Sequence, residues 1–274
     1  MLFLDWTFDT PEENLACDEA LLDLCEEGRG PETLRFWKPR DYFVVAGYSN
    51  KIQTEVLVEK CEEQQVPILR RPSGGGTVLQ GLGCLNYSLV LKIDRHPEFK
   101  TITSATRFIM ETHAKALNSM RHFEAGGREI PTQRDLSQAF CSPRRGAQKT
   151  RLEMASEIQV QGISDLTLKN LKFSGNAQRR KKASFLFHGT FLLDFDLPEI
   201  ERLLALPSRR PAYRNDRSHS QFLTNLKLPA ESIQKALLQT WNASEKLQPP
   251  ETLNGKIHSL VSEKYSRKEW NFKF

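Results

Sequence analysis

The chain has 274 residues, of which 39% are hydrophobic and 27% charged, and its formal net charge is +5. This length suits one large domain or a domain with an appendage, and the small positive excess fits an anionic ligand without requiring nucleic acid. No apolar run approaches membrane-spanning length, and the N-terminus lacks the basic region of a signal peptide.

The first elements have clear local signals. Residues 2–4 predict a strand, and Thr10 with Glu13 forms a capping box that opens a helix ending near Gly28. The five cysteines are odd in number and lack CxxC spacing, which argues for reduced thiols in the cytoplasm and against a zinc site. Three further elements follow: strands at 33–37 and 42–47 and a helix at 51–65.

The most informative stretch is Arg70-Arg71-Pro72-Ser73-Gly74-Gly75-Gly76-Thr77-Val78. An apolar run at 66–69 predicts a strand that leads into it, and the run 84–91 predicts the returning strand. Three consecutive glycines are costly to order, so they favour a turn with positive φ or a ligand lying on the backbone. Free N–H groups there would form an anion site, with Arg71 adding a planar charged fork. A plain hairpin with two solvated arginines remains the alternative.

The second half of the chain predicts mixed strands and helices. His113, on a helix at 104–120, is predicted to be a core or boundary histidine, and 121–157 is predicted to be a long surface excursion. Because strands and helices show no regular βαβ alternation, the sequence predicts an α+β fold on a mixed, mostly antiparallel sheet. The remaining predicted strands are 158–163, 166–168 and 184–193, and the remaining helices are 197–204, 229–241 and 253–265.

A second chemical centre surrounds Lys172. This lysine directly precedes Phe173-Ser174-Gly175, which predicts a small-residue bend between two strands. A lysine held at a strand end can place its ammonium on a carboxylate or phosphate, although a structural surface lysine is the alternative. The basic run 179–182 predicts a solvated turn.

These segments together resemble the lipoate–protein ligase family, over roughly residues 1–228. The glycine stretch with Gly83-x-x-Asn86 looks like its lipoate-binding loop. The similar segments occur in the family's order: Asn14-Leu15-Ala16 with Glu19, Ser164-Asp165-Leu166, Lys172-x-Ser174-Gly175-Asn176-Ala177-Gln178, His188-Gly189-Thr190, Tyr213-Arg214 and Thr224-Asn225-Leu226.

The resemblance implies a catalytic domain at 1–228, a helical extension at 229–274 packed on it, and no large accessory domain. It implies ATP-dependent attachment of lipoate to a carrier lysine through lipoyl-adenylate, with Mg²⁺ required. Lys172 matches the catalytic lysine, and Asp165 would hold Mg²⁺ or orient Lys172. The implied substrate- and nucleotide-binding residues are Arg71, Ser73, Gly74, Gly75, Gly76, Thr77, Val78, Leu79, Asn86, Asp165, Ser174, Gly175, Asn176, His188, Gly189 and Thr190.

The family's partners are apo lipoyl-carrier domains, either 2-oxoacid dehydrogenase E2 subunits or glycine-cleavage H-type proteins. A ligase without the accessory domain can need a separate accessory protein. The sequence predicts no nucleic-acid or membrane partner, and the scattered cysteines predict a cytoplasmic location. The apolar strand 84–91 is a candidate wall for the acyl chain. Many family members carry His-Asp where this chain has Gln80-Gly81, which puts nucleotide contacts there in doubt.

The alternative is an ATP-independent octanoyl or lipoyl transferase of the same superfamily, which works through a cysteine thioester. No cysteine occurs at the two expected places, which are residues 185–187 and roughly 155–165. Cys141 leaves another placement open, whereas Cys84 is predicted to be packed in a strand. A third hypothesis, a non-catalytic binder of RNA or of an acyl ligand, is disfavoured because 179–182 lacks interleaved aromatic residues.

Overall fold

The residues that the structure describes form two β-sheets, with helices on both faces of the larger one. The structure, a computed structural model, describes residues 1–125 and 157–274. The strands are β1 Leu2–Asp5, β2 Thr33–Trp37, β3 Phe43–Ala46, β4 Ile68–Arg70, β5 Val78–Gln80, β6 Cys84–Lys92, β7 Ile158–Gln161, β8 Asp165–Leu168, β9 Leu171–Arg180, β10 Ser184–Leu192 and β11 Glu245–Lys246. The α-helices are α1 Pro11–Glu26, α2 Ile52–Glu55, α3 Val58–Glu63, α4 Ile102–Ala125, α5 Pro198–Leu203, α6 His219–Phe222, α7 Ala230–Thr240, α8 Glu251–Leu260 and α9 Lys268–Asn271.

The larger sheet is mixed and mostly antiparallel. Within the described residues its strand order is β11-β1-β2-β6-β10-β9-β8-β7. Strand β1 pairs in parallel with β2 and β11, and the other pairs are antiparallel. A three-stranded sheet, β4-β3-β5, lies beside it. The predicted α+β fold is therefore confirmed.

Side chains alternate between two apolar layers on opposite faces of the larger sheet. Leu85, Leu89 and Phe187 belong to one core cluster, which also contains residues of α4 and α7. Val90 and Leu186 belong to the other cluster, which contains residues of α1 and α8. This period of two places Ser88 and His188 on the α1 side of the sheet.

Several local predictions are confirmed. Thr10 and Glu13 form the capping box at the start of α1. His113 is fully buried, accepts a hydrogen bond from Trp241 Nε1 at 2.9 Å, and has its pKa lowered to about 3 by burial. Cys17, Cys25 and Cys84 are packed core residues.

The single helix predicted over residues 51–65 is wrong. The structure has α2 and α3, separated by Val56 in an extended conformation. Val56 forms a bridge with Leu204, and the backbone N–H of Leu57 donates to Leu203 O. A contact distant in sequence therefore overrides the local helical preference.

The predicted pairing around the glycine stretch is also wrong. Strand β4 and the long strand β6 belong to different sheets, so 84–91 is not the returning strand of 66–69. Strand β5 follows the glycines instead and pairs with β3. The glycine stretch thus connects two strands of the smaller sheet and is not a hairpin tip.

The C-terminal helices pack on the rest of the chain, α7 against α4 and α8 against α1. The division at residue 228 stays a prediction. Most of the predicted excursion at 121–157, including Cys141, lies outside the described residues. No helix in the described ranges is long and apolar enough to cross a lipid bilayer.

Candidate active site

A cavity of about 640 Å³ brings the two chemical centres of the sequence together. This volume is typical of small-molecule sites. We call residues 73–77 the glycine loop and residues 207–217 the arginine loop. All predicted site residues line the cavity except Ser73 and Gly74: Arg71, Gly75, Gly76, Thr77, Val78, Leu79, Asn86, Asp165, Lys172, Ser174, Gly175, Asn176, His188, Gly189 and Thr190.

Lys172 faces this cavity and pairs with Asp165. Its Nζ lies 2.8 Å from Asp165 Oδ1, and the two side chains are 25% and 12% exposed. Asp165 Oδ2 accepts a hydrogen bond from Tyr213 OH at 2.7 Å, so both carboxylate oxygens are engaged. An ammonium group has three donors, and Asp165 uses one of them. Lys172 is therefore oriented by Asp165 while keeping donors for a ligand.

A β-bulge makes this pair possible. Leu166 lies opposite Ser174 and Thr167 opposite Lys172, so Phe173 is an extra residue in β9. A bulge of this kind changes which face a side chain occupies. Asp165 lies opposite Gly175, and a Cβ at Gly175 would stand 2.8 Å from Lys172 Nζ. The predicted bend at 173–175 is thus wrong: the stretch is a strand, and its bulge directs Lys172 toward Asp165.

The glycine loop is organised from inside by Arg71. Its Nη2 donates to Gly74 O at 2.8 Å and Gly76 O at 2.7 Å, its Nη1 donates to Val45 O, and its Nε donates to Ser73 Oγ. The structure therefore uses the guanidinium, predicted to be a donor to the ligand, to hold the loop. Burial lowers its pKa to about 10.

Within the glycine loop, Gly75 is the residue with little space around it. Gly75 has φ +89°, a region that favours glycine. A Cβ at Gly47 would lie 2.2 Å from Gly75 O. No described residue accepts a hydrogen bond from the backbone N–H groups of Gly75 and Gly76. These groups remain available to an oxygen atom of a ligand.

Arg70 has no contact with the cavity. Its side chain is fully buried and donates to the carbonyl oxygens of Gly47, Tyr48, Asn50 and Trp270. The alternative of a plain hairpin with two solvated arginines is wrong, because both arginines are buried and bonded to backbone.

His188 connects the glycine loop to helix α1. Its Nε2 lies 2.6 Å from Ser73 Oγ, and its Nδ1 lies 3.8 Å from Asp18 Oδ2. Asp18 pairs with Arg35 at 2.6 Å and accepts a hydrogen bond from Ser88 Oγ. Burial opposes ionisation of Asp18, but Arg35, the nearby His188 and the hydrogen bond from Ser88 hold its pKa below the ordinary value.

Asn86 and Thr190 form a closed polar cluster with Gln80. Gln80 Nε2 donates to Thr190 Oγ1 at 2.6 Å, Asn86 Nδ2 donates to Gln80 Oε1, and Thr190 Oγ1 donates to Asn86 Oδ1. Gln80, one of the two positions that depart from the family pattern, is thus part of the cavity wall.

Ser174 and Asn176 are bound mainly to protein groups. Asn176 Oδ1 accepts from Tyr87 OH at 2.6 Å, and its Nδ2 donates to Ser164 O and Ser174 Oγ. A Cβ at Gly189 would stand 1.7 Å from Asn176 Oδ1, so glycine is required there. These residues shape the wall that carries Lys172.

Comparison with known families decides which group the chain belongs to. The family model for the lipoyl protein ligase A/B catalytic domain matches residues 10–241. The chain belongs to this family. It is an enzyme family, and the match covers the glycine loop, Lys172 and the arginine loop.

Relatives across nearly the whole chain carry one name. "Octanoyltransferase LipM" of Geobacillus kaustophilus is 30% identical, with 99% of this chain and 97% of the relative covered. "Octanoyltransferase LipM" of Halalkalibacterium halodurans is 28% identical, with 99% of this chain and 98% of the relative covered.

The fold is shared with solved structures. A bi-partite lipoate protein ligase of Thermoplasma acidophilum, described together with its E2 lipoyl domain, has a TM-score of 0.73 and 21% identity, with 99% and 95% of the two chains covered. A lipoate-protein ligase A bound with ATP has a TM-score of 0.69 and 23% identity, with 99% and 97% covered. At this identity the likeness concerns the fold.

The positions of the described cysteines bear on whether one of them could act as a nucleophile at the cavity. None of the four described cysteines lines the cavity, and all are buried. Burial raises the pKa of Cys17 and of Cys84 to about 12, and that of Cys61 to about 11. Such thiols are protonated at neutral pH and are poor nucleophiles.

The apolar part of the cavity differs from the prediction. Only Asn86 and Tyr87 of strand β6 reach it, so the strand 84–91 is not the main wall. Sequence reasoning missed the apolar lining, because these residues come from separate elements with ordinary core patterns. They include Leu15, Trp37, Val45, Leu192, Ile200, Leu204 and Phe222.

Asp165 does not fit a resident metal ion. Its two oxygens are engaged by Lys172 and Tyr213. The described residues contain no group of three or more His, Cys, Asp or Glu side chains that could hold a metal. Of the two roles predicted for Asp165, the geometry favours orienting Lys172.

Proposed function

We propose that this protein transfers an octanoyl group, or the related lipoyl group, to a lysine of a lipoyl-carrier domain. The observation that carries the proposal is the full-length similarity to octanoyltransferases in a chain whose cavity presents the Lys172–Asp165 pair. The donor on this route is an acyl thioester on another carrier protein. The acceptors are lipoyl domains of 2-oxoacid dehydrogenase E2 subunits or glycine-cleavage H-type proteins.

Lys172 serves both steps. An enzyme thiolate attacks the thioester carbonyl, the carrier thiol leaves with a proton, and an acyl-cysteine forms. The amine of the acceptor lysine then attacks this new thioester, loses a proton, and releases the cysteine. Each step builds negative charge on the acyl oxygen, where an ammonium and the free N–H groups of the glycine loop stabilise it. Asp165 keeps the ammonium in position throughout.

Elimination leaves one cysteine for the thioester route. The four described cysteines are buried away from the cavity. Cys141, the fifth cysteine of the chain, lies outside the described residues. The proposal therefore assigns the nucleophile to Cys141.

The second candidate is the ATP-dependent ligase. The observation that favours it is the absence of cysteine from the cavity lining among the described residues. On this route lipoate and Mg-ATP are the substrates, and the glycine loop and Lys172 hold lipoyl-adenylate. A separate accessory protein would complete adenylate formation where the chain alone is inactive.

The test presents the purified protein with an apo lipoyl domain and one of two donors, octanoyl-carrier thioester or lipoate with Mg-ATP. We expect octanoylation from the thioester without ATP, together with an acyl adduct on the protein detected by intact mass. The variant Cys141→Ser should lose both, whereas the matched variant Cys61→Ser should keep both.

Two results would overturn the thioester route. One is full transfer by Cys141→Ser, and the other is acylation that requires ATP and releases pyrophosphate. ATP-dependent acylation that Cys141→Ser leaves unaffected would establish the ligase instead of the transferase.

A further inference from the structure

We infer that Glu55 is a positioning residue that fixes the glycine loop and the arginine loop relative to each other. Glu55 is the last residue of helix α2 and does not line the cavity. It is only 5% exposed, although glutamate is among the residues least often buried. A carboxylate in such a place needs full hydrogen bonding, and its partners show what it does.

One oxygen of Glu55 holds the glycine loop. Oε2 accepts from Thr77 Oγ1 at 2.6 Å and from Asn50 Nδ2. Asn50 Nδ2 also donates to Thr77 Oγ1 at 3.2 Å. Thr77 lines the cavity, so this contact fixes a residue that meets the ligand.

The other oxygen holds the arginine loop. Oε1 accepts from Ser208 Oγ at 2.8 Å. The adjacent Arg209 and Arg210 line the cavity. The backbone strengthens this link, because the N–H of Ala205 donates to Glu55 O. The glycine loop and the arginine loop, which both contribute residues to the cavity lining, thus share one carboxylate.

The charge of Glu55 is part of the arrangement. No described cation forms an ion pair with it, and all its side-chain partners are neutral donors. Burial opposes ionisation, but the hydrogen bonds from Thr77, Asn50 and Ser208 lower its pKa below the ordinary value. Its charge also acts on the buried Arg71, where burial lowers the pKa of the guanidinium and Glu55 offsets part of that lowering. Hydrogen bonds to an ionised acceptor are stronger than neutral ones.

The substitution Glu55→Gln keeps the size of the side chain but turns one oxygen into a donor that faces other donors. We expect the loops to separate and the KM for the acyl donor to rise about tenfold, the loss of one hydrogen bond to a charged group. The KM for the acceptor lipoyl domain and the fraction of active protein should stay unchanged. The matched control is Glu59→Gln, an exposed glutamate on the next helix.

Ser208→Ala separates the two links. It should raise the KM for the acyl donor less than Glu55→Gln does, and adding it to Glu55→Gln should cause no further rise. Amide hydrogen exchange provides a readout independent of activity. Glu55→Gln should speed exchange in both 73–80 and 204–211, whereas Ser208→Ala should speed it only in 204–211.

The kinetic part rests on the proposed function, but the exchange part does not. A wild-type protein that transfers no acyl group would contradict the proposed function, and exchange would still decide the role of Glu55. The inference is overturned if Glu55→Gln matches Glu59→Gln in exchange. It is also overturned if Glu55→Gln lowers only the active fraction of a protein that keeps the wild-type KM.

Discussion

Arg35–Asp18 and Lys172–Asp165 are both cation–carboxylate pairs, yet their surroundings differ. The first has side chains 0% and 5% exposed and a separation of 2.6 Å, and the second has 25% and 12% exposed and 2.8 Å. Arg35 donates additionally to Trp6 O, Asn14 O and Asn14 Oδ1. Lys172 has Asp165 as its described partner.

This difference indicates that the Arg35–Asp18 pair stabilises the fold, whereas the Lys172–Asp165 pair can act on a ligand. The guanidinium of Arg35 is fully buried, and its hydrogen bonds end on protein atoms. Arg35 therefore joins strand β2 to helix α1 and to Trp6, and it offers no accessible donor to a ligand. Lys172 keeps two donors and some solvent contact. Substitutions should therefore affect stability at the first pair and turnover at the second.

The largest effect is expected for Arg35→Ala. It leaves Asp18 buried without its partner, and breaking a buried pair in this way costs about 3–5 kcal/mol of unfolding free energy. Urea unfolding followed by far-ultraviolet circular dichroism measures it. The control Arg40→Ala breaks the exposed pair with Asp9 and should leave the midpoint unchanged. Equal midpoints for the two variants would contradict the structural role of Arg35.

Lys172→Ala should show the opposite pattern. We expect acyl transfer to fall about 100- to 1,000-fold, as for the loss of one oxyanion donor, with an unchanged unfolding midpoint. Steady-state transfer to an apo lipoyl domain measures the loss. The control is Lys169→Ala, an exposed lysine in the neighbouring turn, which should retain wild-type activity. Full activity of Lys172→Ala would remove Lys172 from the site.

The sequence predicted the parts of this arrangement that depend on local signals. The capping box of α1 and the burial of His113 were confirmed. The motifs around residues 71–79 and 172–190 were assigned to one site because they resemble the motifs of a known family. They line one cavity, in a fold that is shared with the ligase of Thermoplasma acidophilum. In each case a short pattern contains the information.

Features that depend on partners far along the chain were not predicted. The bulge at Phe173 exists only in the pairing of β9 with β8. Glu55 lies in an apparently ordinary polar helix, and its partners Thr77 and Ser208 are 22 and 153 residues away. The pairing of Asp18 with Arg35 likewise spans 17 residues between a helix and a strand. Spacing in a single sequence does not specify such contacts.

The role of the Arg35–Asp18 pair in stability should also depend on pH, through the ionisation of Asp18. The folded-state pKa of Asp18 is lowered by Arg35 and by hydrogen bonds, so its contribution is complete above the unfolded pKa of about 3.9. It is lost as pH falls through the folded value, because protonation then favours the unfolded state. Asp18→Asn should therefore lose less stability than wild type on acidification below about pH 4. Parallel unfolding curves against pH for the two proteins would contradict this assignment.

The smallest effect is expected at Tyr213, which contacts Asp165 of the Lys172–Asp165 pair. Tyr213→Phe removes the hydrogen bond from Tyr213 OH to Asp165 Oδ2, worth about 1 kcal/mol, or roughly a fivefold decrease in kcat/KM. Because Asp165 still holds Lys172, the variant should retain most of the activity that Lys172→Ala loses. In the Lys172→Ala background, Tyr213→Phe should cause no further decrease, since its effect passes through the lysine. A full additional fivefold decrease there would show that Tyr213 acts on the substrate directly.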